Sequence, residues 1–222
     1  MFKQIAILLA ACALALPAGA APKVVTDIPA VHALAAKVMH GVATPVRILP
    51  PGASPHGYHM RPSEASALAG ADVLIWIGPE LTPWLDRAQR KLNADVRSVK
   101  LLALSGTVRR EARHEAIFAP ESPDADDDKH DDHKHDHHHD HGPVDPHAWL
   151  DPVNGARWLG GIARALGGRG RRNAGAEAAN AAAGEAERRA LTEALQAELG
   201  PVRNRPYIVL HDGFQYFERR FG

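Results

Sequence analysis

From Lys23 onward, short β-branched runs alternate with stretches of helical periodicity. Lys23-Val24-Val25-Thr26 and Val46-Arg47-Ile48-Leu49 predict strands. Between them, Ile28 to Met39 places apolar residues at helical spacing, and Gly41 ends the run. Pro50 to Pro55 is rich in proline and glycine and predicts a loop. A helix is expected from Pro62 or Ser63 to Ala69, stopped by Gly70. Asp72 to Gly78 is the clearest buried strand, Pro83 to Leu92 predicts a helix, and Val96 to Leu102 a further strand. Strand, helix, strand, helix in this order points to an α/β fold, a parallel sheet with helices on its faces.

Further along, Val153 to Leu166 predicts a helix broken by the glycines from Gly167 to Gly170. Arg171 to Leu199 then reads as one long helix. Its alanine content gives high propensity, and Leu191, Leu195 and Leu199 recur at i, i+4 as an apolar stripe. Past Gly200-Pro201, Tyr207-Ile208-Val209-Leu210 predicts a buried strand ending at His211, followed by the start of another helix. One strand and one short helix read as the beginning of a second lobe that is incomplete at Gly222.

Two segments fall outside this alternation. Lys3, the apolar run Ile5 to Leu16 and Ala18-Gly19-Ala20 have the order of an export signal, with cleavage expected after Ala20. The run is short for a membrane span. Leu9-Ala10-Ala11-Cys12 offers a second reading, in which Cys12 is lipidated. Residues 124–142 are built almost wholly from Asp, His and Lys. With no apolar residue beyond Ala125 they cannot bury a core, so a disordered, solvated loop is expected.

Composition changes the picture at one point. A formal net charge of zero and 45% hydrophobic residues give no sign of a nucleic-acid or membrane-surface partner. Histidine is the outlier, with 14 residues, against a single cysteine inside the export signal. Imidazoles in this number point to metal or to pH.

The histidines form two sets. His130, His133, His135, His137, His138, His139 and His141 lie in the Asp-rich loop. There imidazole and carboxylate suit zinc, nickel or copper, held loosely because ordering the loop costs entropy. The second set is sparse. His56 follows the proline-rich loop, His147 sits in Asp145-Pro146-His147-Ala148-Trp149, and His211 ends the expected strand. In open α/β sheets ligands bind beyond the carboxyl ends of strands. Three histidines meeting there would leave a fourth position for water or a carboxylate. Spacing alone also allows three unrelated structural histidines. His59, three residues after His56, is a possible secondary ligand read as a rim residue. His32, His40 and His114 belong to no constellation.

Four motifs, in order, resemble the zinc-specific solute-binding proteins of ABC importers, the ZnuA type. They are Leu49-Pro50-Pro51-Gly52-Ala53-Ser54-Pro55-His56 with Arg61-Pro62-Ser63, then Ala71 to Glu80, then Asp145-Pro146-His147-Ala148-Trp149-Leu150-Asp151-Pro152, and then His211-Asp212-Gly213-Phe214-Gln215-Tyr216-Phe217. A His-rich loop between the second and third is a further mark of the zinc subgroup. The resemblance implies two α/β lobes joined by one long helix, with the metal held between them. On this chain that gives an export signal at 1–20, a first lobe at 21–166 carrying loop 124–142, a linker helix at 167–200 and the start of the second lobe at 201–222.

By motif position the resemblance implies His56, His147 and His211 as zinc ligands, the first two from one lobe and His211 from the other. A histidine at 211 favours zinc over manganese. Other members carry Glu before the first histidine, where this chain has Pro55, and an acidic residue later in the second lobe, past Gly222. The implied role is a periplasmic, monomeric carrier that delivers Zn2+ to an inner-membrane permease with its cytoplasmic ATPase. Two other classes compete. A hydrolase would need a general base beside a zinc-bound water, and no H-E-x-x-H or comparable motif is present. A periplasmic metal buffer or chaperone would use the His-rich loop as its main site.

Overall fold

The computed structural model describes residues 21–113, 143–168 and 172–222. The expected export signal with Cys12, His114 and the whole His/Asp-rich loop lie outside the described residues. Four strands, β1 (Val24–Thr26), β2 (Val46–Arg47), β3 (Val73–Trp76) and β4 (Arg97–Lys100), form one sheet in the order β2-β1-β3-β4. All three pairings are parallel, with Val25 opposite Val46, Val24 opposite Val73 and Val73 opposite Arg97. A parallel sheet covered on both faces needs apolar residues on both sides of its strands. Val73-Leu74-Ile75-Trp76 meets that demand, and all four residues are buried. The expected strand from Val96 is shorter, because Leu101–Ala103 close into a 3-10 turn that buries Leu101 and Leu102.

Helices α1 (Pro29–Val38), α2 (Pro62–Ala69) and α3 (Pro83–Leu92) connect the strands, each with proline in its first turn. There the missing N–H has no intrahelical partner to lose. Helix α4 (Pro152–Gly167) and helix α5 (Ala174–Leu199) pack along each other and against α1. They approach closely at Gly184, where a Cβ would stand 2.8 Å from Leu159 Cδ1. Trp158 of α4 is fully buried, and its indole N–H donates to Thr107 Oγ1 at 3.0 Å.

In the C-terminal part the helical expectations hold and one for a strand fails. The long helix forms as α5, whose buried residues are Glu177, Ala181 and Gly184; of its leucine stripe, Leu191 is 39% exposed and Leu195 and Leu199 are half-buried. Tyr207 to Leu210 is not a strand. It has no ladder partner among the described residues, and Ile208 and Leu210 stand in solvent at 99% and 107% relative exposure. A β-branched run is only a strand where another strand satisfies its N–H and C=O groups. The helix expected after His211 does form, as α6 (Gln215–Phe221), which packs on the turn preceding α4.

Asp27 is fully buried at the end of β1. Its carboxylate accepts from Ile28 N at 2.7 Å and Ile77 N at 2.9 Å, joining the ends of β1 and β3. Desolvation outweighs these donors and raises its pKa from 3.8 to about 7. Between those values the native state holds a proton that the unfolded chain has released. The contribution of Asp27 to stability is therefore complete at the acid end and declines as pH rises through that window. Asp27→Asn is expected to flatten this slope, measured by denaturant unfolding at about pH 5 and about pH 7. Equal slopes in the two proteins would refute the assignment.

Candidate metal centre

His56, His147 and His211 come from three distant segments, and the fold brings them together. One potential ligand nitrogen from each lies within 4.8 Å of the other two. Ring centroids are 5.6 Å apart for His56–His147, 5.4 Å for His56–His211 and 4.9 Å for His147–His211. Nitrogens around a tetrahedral zinc ion, each about 2.0–2.1 Å from it, stand about 3.3 Å from one another. The cluster is thus within a small adjustment of that geometry. His59 is exposed and does not belong to it.

Each ring is held differently. His56 follows β2 on a loop fixed by the indole of Trp84, which donates to Pro55 O at 2.8 Å. Tyr58 packs on Trp84 and donates to the Glu64 carboxylate at 2.9 Å. Proline at 55 has no carboxylate to offer an ion, and here its carbonyl anchors the loop. His147 is buried at the start of the 3-10 turn Ala148–Leu150. Its Nδ1 lies 2.7 Å from Asp145 Oδ1, which also accepts from His147 N at 2.9 Å. A carboxylate only accepts, so Nδ1 carries the hydrogen and a neutral ring turns the lone pair of Nε2 toward the cluster. Trp149 lies against the same ring, centroids 5.1 Å apart.

His211 is exposed and sits on irregular backbone, so the expected buried strand end is corrected. None of the three histidines sits directly at a strand end: His56 lies on the loop between β2 and α2. His211 Nε2 is 3.0 Å from His147 Nε2. With His147 holding its hydrogen on Nδ1, His211 Nε2–H is the donor in that contact, and a metal ion would take the place of this hydrogen. Gly213 makes the approach feasible: a Cβ there would lie 3.2 Å from His211 Cδ2 and 3.3 Å from His147 Cδ2.

The supporting groups were less visible in the sequence than the ligands. Asp145 is backed by Gln215, whose amide, oriented to suit both neighbours, donates to Asp145 Oδ2 at 3.0 Å and Glu111 O at 3.1 Å. Tyr216 donates to Asp145 O at 2.9 Å and accepts from Arg110 N at 2.9 Å. Burial is the main cause that lifts the Tyr216 phenol to about 12, so it acts as a fixed neutral bridge. The only available signal was the motif wording around His147 and His211. Asp212, the residue after His211, pairs with the Arg113 guanidinium.

A parallel α/β sheet with three imidazoles gathered above a bed of fixed carboxylate and phenol groups defines a candidate binding protein for a borderline metal ion. The family model described as ZnuA, zinc-uptake complex component A, periplasmic, matches residues 24–222. The high-affinity zinc uptake system protein ZnuA of Paracoccus denitrificans is 46% identical over 217 residues, 94% of this chain and 67% of the relative. The protein of the same name from Brucella abortus is 37% identical, over 92% of this chain and 66% of its own. A crystal structure of a ZnuA 138–173 deletion mutant with zinc bound superposes with a TM-score of 0.73 at 24% identity, over 90% of this chain and 67% of that one. The chain belongs to the ZnuA family, and it spans about two thirds of the length of these relatives.

Proposed function

We propose that this chain is the extracytoplasmic zinc-binding component of an ABC-type uptake system. It captures Zn2+ with His56, His147 and His211 and hands it to an inner-membrane permease driven by a cytoplasmic ATPase. The observation that carries this reading is the convergence of three imidazoles from distant segments within 4.8 Å, on a chain of the ZnuA family. Neutral nitrogen ligands suit an ion that must be released again; thiolates would hold it harder and oxidise outside the cytoplasm.

The carrier acts as a periplasmic monomer and not as an enzyme, with residues 1–20 as its export signal. No helix among the described residues is long and apolar enough to cross a membrane. We assign residues 21–166 to the first lobe, 167–200 to the linker and 201–222 to the second lobe. The histidines from His130 to His141 serve as a loose, low-affinity collector.

The test is zinc titration of the chain with and without residues 124–141, read by calorimetry with a competing chelator. The expected result is one tight site in both proteins, with weaker additional binding only in the longer one. Loss of the tight site on deletion would overturn the three-histidine reading and favour a metal buffer built on the loop.

A further inference from the structure

Residues 110–113 and 143–145 run antiparallel and form the stem from which residues 114–142 emerge. Ala112 N donates to Pro143 O at 3.2 Å, Asp145 N donates to Arg110 O at 2.9 Å, and Glu111 bridges Val144. One side of this stem supplies Asp145, which sets the ring of His147. The other ends in Arg113, whose guanidinium reaches the segment carrying His211. Its Nε donates to Asp212 Oδ2 at 3.1 Å, its Nη2 to Asp212 Oδ1, and its Nη1 to Glu218 Oε2 at 2.7 Å.

Glu218 accepts at its other oxygen from Tyr207 at 2.7 Å. The side chains of Arg113, Asp212 and Glu218 are 18%, 24% and 25% exposed, so this is a partly desolvated fork-to-carboxylate contact and not a loose surface pair. His211 itself lies on irregular backbone in solvent, with neither ladder nor helix to fix it. The clamped carboxylate of the next residue stands directly beside it, and Gly213 N donates to His211 O at 2.9 Å.

We propose that Arg113 is a positioning residue of the metal site, holding His211 in place through Asp212. The stem then sets two ligands at once, His147 through Asp145 and His211 through Arg113. His211 is thereby tied to the α/β unit that carries the other two ligands. The rest of α6 has its own anchors: Tyr216 on the stem, and Arg220 on Asp151 at 2.7 Å. Loss of Arg113 should therefore free His211 without detaching the helix.

This proposal rests on the three histidines being ligands, and the test separates the two claims. Arg113→Ala, Arg113→Lys, Asp212→Asn and His211→Ala are compared by Co2+ absorption and by zinc competition, with circular dichroism as the check on folding. The expected result is a cobalt spectrum shifted toward that of His211→Ala in Arg113→Ala and Asp212→Asn. Zinc affinity should fall about 10- to 100-fold in both, the range found for partners that orient a ligand. Arg113→Lys should recover part of the loss. Arg113→Ala with Asp212→Asn should be no worse than Arg113→Ala alone, because that change already removes the link to Asp212.

Wild-type spectrum and affinity in folded Arg113→Ala or Asp212→Asn, while His211→Ala loses both, would overturn the positioning role alone. A His211→Ala protein that matches wild type would overturn the ligand assignment as well. If Arg113→Ala does not fold, Asp212→Asn decides.

Discussion

Replacing His147 by Ala is expected to abolish tight, single-site zinc binding, with a loss greater than the roughly 10- to 100-fold that follows removal of an outer-sphere partner. Three facts make this the most damaging single change at the site. His147 is the buried member of the three, at 4% exposure. Its ring is aimed from two sides, by Asp145 at Nδ1 and by Trp149 across its face. Its Nε2 also lies 3.0 Å from His211 Nε2, in the pair of rings whose centroids are nearest, 4.9 Å apart. The Asp145 carboxylate keeps its bonds from His147 N and from Gln215, which preserves the local fold when the ring is removed. Competition titration against a zinc chelator measures the effect, and an affinity within a few-fold of wild type would refute the assignment. His59→Ala serves as the control and is expected to bind as wild type.

The sheet was legible because its strands are buried on both faces and therefore announce themselves as unbroken apolar runs. Val73 to Trp76 could be read without ambiguity, and Pro83 to Leu92 was read to the residue. Tyr207 to Leu210 carries the same composition and misled, since β-propensity reports fitness for a pleated, half-buried surface and not the presence of a neighbouring strand.

At the site, the three histidines were nameable from their motifs, whereas their support was not. Nothing in local spacing links Arg113 to Asp212, 99 residues away, or Tyr216 to Asp145, 71 residues away. Trp84 packs partly buried against the core, and its indole N–H also holds the loop that carries His56. Long-range hydrogen bonds of this kind are products of the completed fold, and a linear reading meets their two halves as unrelated polar residues.

Zinc affinity is expected to fall steeply on going from about pH 7.5 to about pH 5.5, because protons and the ion compete for the same lone pairs. Free imidazoles take up a proton near pH 6.5, and coordination requires each nitrogen without it. The more histidine nitrogens bind the ion, the more protons compete with it, so affinity falls more steeply for three ligands than for two. The sign is fixed by the direction of competition: protonation opposes binding, and affinity recovers as pH rises.

Unfolding through Asp27 would not mimic this curve, since the stabilising contribution of that group is largest at the acid end of the same window. The measurement is a chelator-competition affinity at fixed ionic strength across the range, repeated on His56→Ala and His211→Ala. Each variant that retains measurable binding should show a shallower pH dependence than wild type. An affinity that does not change with pH would exclude imidazole ligation at this centre.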